Sequence, residues 1–249
     1  MQTMINIENL SLPYGVKNLS CRIPQGKLVG IMGANGAGKS TLLKAIAGIL
    51  PPAKVTSGQI WLENCKLSEL SPAQKSQRIA YLAQSTAIQW DLRVYDVIAL
   101  GLPQPLSEAQ ERQKVRWVSA QFSLCELLDK PYQQLSGGEK TRVQLARCCI
   151  KNAPILLADE PIAALDPYFQ IDIMERLKAL TPQATCVLVI HHLSLAYRFC
   201  DEIILLQQGN IIAHGSTQHV LTATNIANAF GVKVEIDQQK GEVFVVGKI

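Results

Sequence analysis

The sequence predicts an α/β fold with a mostly parallel sheet and helices on both faces. Three observations carry that expectation. Short apolar runs alternate with helical patterns along the chain, and a glycine-rich turn joins the first clear run to the first clear helix. The third is composition: 249 residues, 48% hydrophobic and only 18% charged, can fill a core without disulfide staples.

The elements follow in order. An apolar run over 27–32 precedes a helical pattern over 42–50, a second over 155–158 precedes one over 167–180, and a third over 186–190 precedes a short helix near 193–199. Asp166-Pro167 supplies an N-cap and then a proline at the first helical position, where its missing N–H costs nothing. Gln208-Gly209-Asn210, between runs at 203–207 and 211–214, reads as a hairpin turn, as does Gln239-Lys240-Gly241. The sheet is therefore expected to have antiparallel edges. The stretch 85–134 breaks the rhythm with helices around 94–102 and 107–122, the second opened by a Ser107/Gln110 capping box. Such an insertion is either a partner-facing surface or a longer excursion from the core. The expected organisation is one domain over 1–249, with a core from 1–84 and 135–230, a helical subdomain over 85–134 and a hairpin tail over 231–249.

Several classes are excluded. With 48% hydrophobic and 18% charged residues, and 16 glycines and 12 prolines in no repeat period, the composition rules out collagen-like, coiled-coil and disordered chains. Lys and Arg number 24 against 20 acidic residues, a balance of +4 without clustered basic runs, so no nucleic-acid partner is expected. No apolar stretch approaches the roughly 18 residues of a membrane span. Residues 1–10 alternate polar and apolar side chains with no basic start, apolar centre or small-residue cleavage site, so cytoplasmic residence is expected. The cysteines at 21, 65, 125, 148, 149, 186 and 200 form no CxxC pair and have mostly apolar neighbours. They read as reduced core residues, and Cys148 and Cys149 would point about 100° apart on a helix, a poor chelating pair.

The chemistry begins at Gly33-Ala34-Asn35-Gly36-Ala37-Gly38-Lys39-Ser40, a match to GxxxxGK[ST] set between strand and helix, with Thr41 next. Its glycines let backbone N–H groups curl around phosphate oxygens, and the helix start adds positive partial charge. Lys39 can reach β- and γ-phosphates, and the Ser40 hydroxyl can ligate Mg²⁺. A phosphate loop of this kind needs a carboxylate at the end of another buried strand, which Asp159-Glu160 supplies after the run 155–158. Asp159 would face the ion and Glu160 would polarise the water that attacks the γ-phosphate. Many nucleoside triphosphatases share these two features.

Leu135-Ser136-Gly137-Gly138-Glu139, about twenty residues before Asp159, narrows the field. It resembles the signature motif of the ATP-binding cassette (ABC) ATPases, and the resemblance covers essentially the whole chain. It implies a P-loop NTPase (RecA-like) core with an antiparallel β edge and an inserted helical subdomain, with ATP and Mg²⁺ as cofactors. Physically, Ser136 and the amides of Gly137 and Gly138 open a helix, so they can donate hydrogen bonds to a γ-phosphate held by another subunit. By the same resemblance Gln84 touches Mg²⁺ and reports nucleotide state to a membrane partner, Ala164-Leu165-Asp166 crosses to the partner subunit, and His191 is the switch histidine at the γ-phosphate. Tyr14 either stacks on adenine or packs, because the segment between Tyr14 and Gly33 is shorter than usual. His192 stands where the family commonly has Asp, and Ile162-Ala163 where it has Thr-Ser; neither departure removes a group that handles phosphate.

The resemblance also implies partners. One chain holds only half of each nucleotide site, so a head-to-tail dimer of two copies is expected. Residues 94–101 and 215–231, the latter with Val220-Leu221-Thr222 and Ala229-Phe230-Gly231, resemble the ATPases of bacterial importers for iron siderophores, haem and cobalamin. The expected role is ATP hydrolysis at the cytoplasmic face of the inner membrane, on integral membrane permease subunits that work with a substrate-binding protein. The rivals are the ATPase of an exporter or lipid-extracting complex and a soluble ABC protein outside transport.

Overall fold

The N-terminal alternation of polar and apolar residues produces two antiparallel strands, β1 (Thr3–Leu12) and β2 (Val16–Pro24). The ladder slips near Asn9 and Asn18, both at positive φ. In this computed structural model residues 2–51, 55–84, 90–181 and 183–249 are described. The first residues of the expected helical insertion, 85–89, therefore lie outside the described residues. β3 (Leu28–Gly33) leaves the first layer and runs into α1 (Lys39–Ile46). β4 (Ser57–Leu62) returns to pair with β1, followed by β5 (Cys65–Lys66), which completes a four-stranded antiparallel sheet of order β2-β1-β4-β5.

α2 (Pro72–Arg78) leads into β6 (Ile79–Leu82), after which α3 (Val94–Ala99), α4 (Glu108–Gln121) and α5 (Gly137–Cys149) form a helical layer. β7 (Ile155–Asp159), α6 (Pro167–Leu180), β8 (Thr185–Val189), α7 (Leu193–Phe199), β9 (Glu202–Gln207) and β10 (Asn210–Ser216) then complete the main sheet and its cover. Its order is β10-β9-β3-β8-β7-β6, parallel throughout except for β10. α8 (Thr217–Val220), α9 (Ala223–Phe230) and the ribbon β11 (Val232–Asp237) with β12 (Glu242–Lys248) close the chain.

β3, β7 and β8 are buried on both faces, which is why each reads as a continuous apolar run. Alternate residues divide between two cores. Leu28, Met32, Leu156, Ala158, Cys186 and Leu188 face the helical layer. Val29, Ile31, Ile155, Leu157, Val187 and Val189 face α1 and the four-stranded sheet. Each fully buried aliphatic side chain there contributes about 1.5–3 kcal/mol relative to exposure.

Most expected elements are present, and α6 and α7 have the expected bounds. Four details differ. α1 begins at Lys39 and stops before Gly48, whose positive φ breaks the helix, so the expected span 42–50 is shifted toward the loop. The hairpin at Gln208–Asn210 gives the main sheet its antiparallel edge, but the one at Gln239–Gly241 closes a separate ribbon. The four-stranded antiparallel sheet is a layer of its own. Cys65 and Cys125 are exposed and not core residues, because one lies on a two-residue edge strand and the other in a surface turn. Among the described residues no helix is long and apolar enough to cross a membrane, and no cluster of three or more His, Cys, Asp or Glu could hold a metal.

Candidate functional site

The site grows from the C-terminal ends of β3, β7 and β8, where parallel strands leave a crevice for ligands. β3 ends at Gly33 and α1 starts at Lys39, so the motif is the turn between them. Gly38 caps α1 in a left-handed conformation, φ 99°, and contributes no side chain to the first N–H groups of the helix. Those amides, at Lys39, Ser40 and Thr41, are left for an anion. A side chain at Gly38 would strike the Gly15 carbonyl, and one at Gly33 the Leu206 carbonyl, so both glycines are needed for close approach. Ala37 is buried and its N–H donates to Ala34 O at 3.2 Å, while Asn35 and Gly36 are exposed at the rim.

Lys39 is buried, and its Nζ donates to Gly33 O and Ala34 O, each at 2.9 Å. Burial lowers its pKa against the opposing charges of Glu160 and Asp159. A phosphate oxygen would replace those two carbonyls as a stronger acceptor. Ser40 Oγ donates to Asp159 Oδ1 at 2.8 Å. Asp159 is only 2% exposed, and burial holds its carboxyl above the usual aspartate range, with the Ser40 hydrogen bond pulling down and the Glu160 charge pushing up.

Glu160 follows at φ 54°, a left-handed conformation that glutamate rarely adopts, and its N–H donates to Val189 O at 3.2 Å across the strand ends. That turn swings its carboxylate away from the strand. Glu160 Oε1 lies 2.9 Å from His191 Nε2, which the end of β8 delivers. Gln84, exposed just beyond β6, lines a cleft of about 230 Å³ together with Asp159, Glu160 and Ala164. The structure thus brings Lys39, Ser40, Asp159, Glu160, His191 and Gln84 to one end of the sheet. A larger cavity, about 740 Å³, lies among Arg93, Asp96, Glu111 and Arg112 and contains none of these residues.

Ser136 caps α5, its Oγ accepting from Glu139 N at 3.3 Å while Glu139 Oε2 accepts from Ser136 N at 2.8 Å. That backbone hydrogen bond holds the Glu139 carboxyl below its ordinary range. The Ser136 hydroxyl proton stays available, and the space beside Gly137 is open. Gly138 packs toward Ala164, where an added side chain would meet the carbonyl at 3.4 Å. Among the described residues no hydrogen bond joins this turn to the phosphate loop. Tyr14 is 76% exposed, so packing within the chain does not account for it; it precedes Gly15, the residue pressed against Gly38.

Sequence reasoning missed Arg142. Its guanidinium donates to Phe122 O at 2.8 Å and Ser123 O at 2.9 Å and lies 4.1 Å from the centre of the Phe169 ring, tying α5 to the end of α4 and the start of α6. The signal was a cation on the buried face of a predicted helix. His192, the departure noted above, caps α7 by accepting from Leu195 N at 3.3 Å.

A family model described as "ABC transporter" matches residues 16–163. The hemin import ATP-binding protein HmuV of Bordetella parapertussis is 38% identical over 248 residues, covering 93% of this chain and 94% of that protein. A metal-chelate type ABC transporter solved in an inward-facing conformation has the same fold, with a TM-score of 0.80 at 23% identity, covering 97% of this chain and 95% of that one. The ATP-binding cassette MJ0796, solved as a dimer in a post-hydrolysis state with ADP and Pi, superposes with a TM-score of 0.78 at 28% identity, covering 86% of this chain and 99% of that one.

Proposed function

The chain belongs to the ABC transporter family, and on that premise we propose that it is the ATP-binding and ATP-hydrolysing subunit of a membrane importer whose cargo is haem or a related iron or cobalt chelate. The observation that carries the chemistry is the pairing at the strand ends, Ser40 with Asp159 and Glu160 with His191, beside the uncapped start of α1.

In this reading residues 33–41 hold the triphosphate, with Lys39 on the β- and γ-oxygens and Tyr14 stacked on adenine. The residues also fit Mg²⁺: a hydroxyl and a carboxylate 2.8 Å apart, with Gln84 in the same cleft, are hard oxygen donors, and phosphate and water would complete the shell. When bound, Mg²⁺ supplies charge compensation for the β- and γ-oxygens. Glu160 orients and deprotonates the attacking water, and His191 steadies that carboxylate and contacts the γ-phosphate. The left-handed turn at Glu160 supports the assignment, since backbone strain persists where a side chain must be aimed.

Ser136, Gly137 and Gly138 serve the nucleotide of a second copy, so the working unit is a head-to-tail dimer. ATP stabilises the closed dimer because its γ-phosphate touches both copies, and hydrolysis removes that differential affinity. The free space at Gly137, at the start of the helix that Ser136 caps, supports the sharing. The core, 1–84 with 135–230, carries the nucleotide site; the helical part, 85–134, and the Gln84 loop receive the permease at the cytoplasmic face of the inner membrane, and 231–249 is a terminal hairpin. A substrate-binding protein meets the permease on the far side.

The test is reconstitution with the polytopic membrane protein that co-purifies with the chain. Mg²⁺-dependent ATP hydrolysis coupled to uptake of haem or a chelate is expected. Hydrolysis coupled to efflux, or co-purification with no polytopic membrane protein at all, would replace the importer reading with one of its rivals.

A further inference from the structure

Three buried side-chain polar atoms among the described residues have no hydrogen-bond partner: Trp61 Nε1, Arg142 Nε and the Tyr81 hydroxyl. Arg142 is anchored by its other nitrogen, and Trp61 belongs to the four-stranded sheet, where Lys66 lies 5.1 Å from the ring centre. Tyr81 is differently placed. On β6 it pairs in register with Leu157 of β7, two residues before Asp159. Ile155 and Leu157 face α1, Tyr81 packs against that same cluster, and alternation along β7 puts Asp159 on this face too, where Ser40 of α1 meets it. Parallel pairing makes Tyr81 and Asp159 diagonal neighbours, a separation that a long aromatic side chain spans.

The phenol and the carboxylate feel each other. Burial, and then the Asp159 charge, push the Tyr81 hydroxyl up to about 12, so it keeps its proton across the physiological range. A buried hydroxyl that donates to nothing is destabilising, and such groups in folded proteins call for a role. Carboxylates that serve a metal are themselves oriented by further donors.

We propose that Tyr81 is a positioning residue for the Mg²⁺ site: Ser40 holds one side of the Asp159 carboxylate, and the Tyr81 hydroxyl is the second donor, engaged when that carboxylate turns toward the hydrated cation. The inference rests on the assignment of Ser40 and Asp159 to Mg²⁺. The exchange moves no proton between groups. It fixes the rotation of the carboxylate so that its remaining lone pairs point at the ion's waters.

Tyr81→Phe deletes only the hydroxyl. Without nucleotide the variant is expected to melt at the wild-type temperature or about 2–4 °C higher, since an unpartnered group is gone. With ATP, the Mg²⁺ concentration for half-maximal hydrolysis should rise about tenfold while kcat at saturating Mg²⁺ stays within about twofold. The extra rise in Tm that Mg²⁺ adds to ATP should shrink at a fixed low Mg²⁺ concentration. A Mg²⁺ titration that overlays the wild type, or a lower Tm without nucleotide, overturns the role of Tyr81. A wild-type chain with no Mg²⁺-dependent hydrolysis and no Mg²⁺-dependent rise in Tm overturns the ATPase reading itself, and this proposal with it.

Discussion

Asp159 and Glu160 are adjacent in the chain yet live in different environments. Asp159 ends a buried strand with its carboxyl 2.8 Å from Ser40 Oγ, while Glu160 turns outward through a left-handed φ to meet His191. The roles proposed for them separate accordingly. Glu160→Gln should retain ATP binding and lose about 10²-fold or more in turnover, as expected for removal of a positioned base; full activity in a steady-state assay would refute the assignment. For Asp159, burial makes the folded chain bind a proton more tightly than the unfolded one. This group's contribution to stability is therefore present at low pH and lost as pH rises through the folded value. Asp159→Asn should melt above wild type by a margin that is larger at neutral pH than at about pH 4, while losing Mg²⁺-dependent hydrolysis. Thermal melts across that range decide it, and a margin independent of pH counts against it.

At the scale of elements, the signature turn is set by α5, and α5 by Arg142. The helix presents Val143, Leu145 and Ala146 to the core, but its registration against α4 and α6 passes through one buried guanidinium. Arg142→Leu keeps an apolar side chain in the helix but removes the guanidinium, and with it the contact over the Phe169 ring and the donor to the Phe122 and Ser123 carbonyls. A loss of about 1–3 kcal/mol in denaturant unfolding is expected. Because α5 carries Ser136–Gly138, hydrolysis should fall more than ATP binding to the phosphate loop. Equal losses in both would show that Arg142 supports the fold alone.

For the whole molecule, the proposed division of each nucleotide site between two copies makes a prediction no single chain can test. Lys39→Ala disables the phosphate loop, and Ser136→Arg fills the signature turn with a bulky cation. Each homodimer should be inactive. A mixed dimer carries both lesions at one site and neither at the other, so purified heterodimer should recover measurable hydrolysis. No recovery would mean that the sites are not shared, or that both must fire together; a single-turnover measurement of ATP cleavage at the intact site separates these.

What the sequence by itself determined was everything local. A phosphate-binding turn needs glycines, a lysine and a hydroxyl at fixed spacing, strand-end carboxylates follow an apolar run, and helix caps sit within three residues of what they cap. These signals survive without a fold, which is why the bounds of α6 and α7 and the Ser107 and Asp166 caps were legible. What only the tertiary structure decided was non-local. β1 pairs with β4 some fifty residues on to form a separate sheet, Gly38 is pinned by Gly15, and Arg142 finds carbonyls about twenty residues back. The Tyr81 hydroxyl comes to lie on the face of Asp159. None of these has a sequence signature, because hydrogen bonding and close packing act through space, and the chain brings such partners together only once both sheets have closed around their cores.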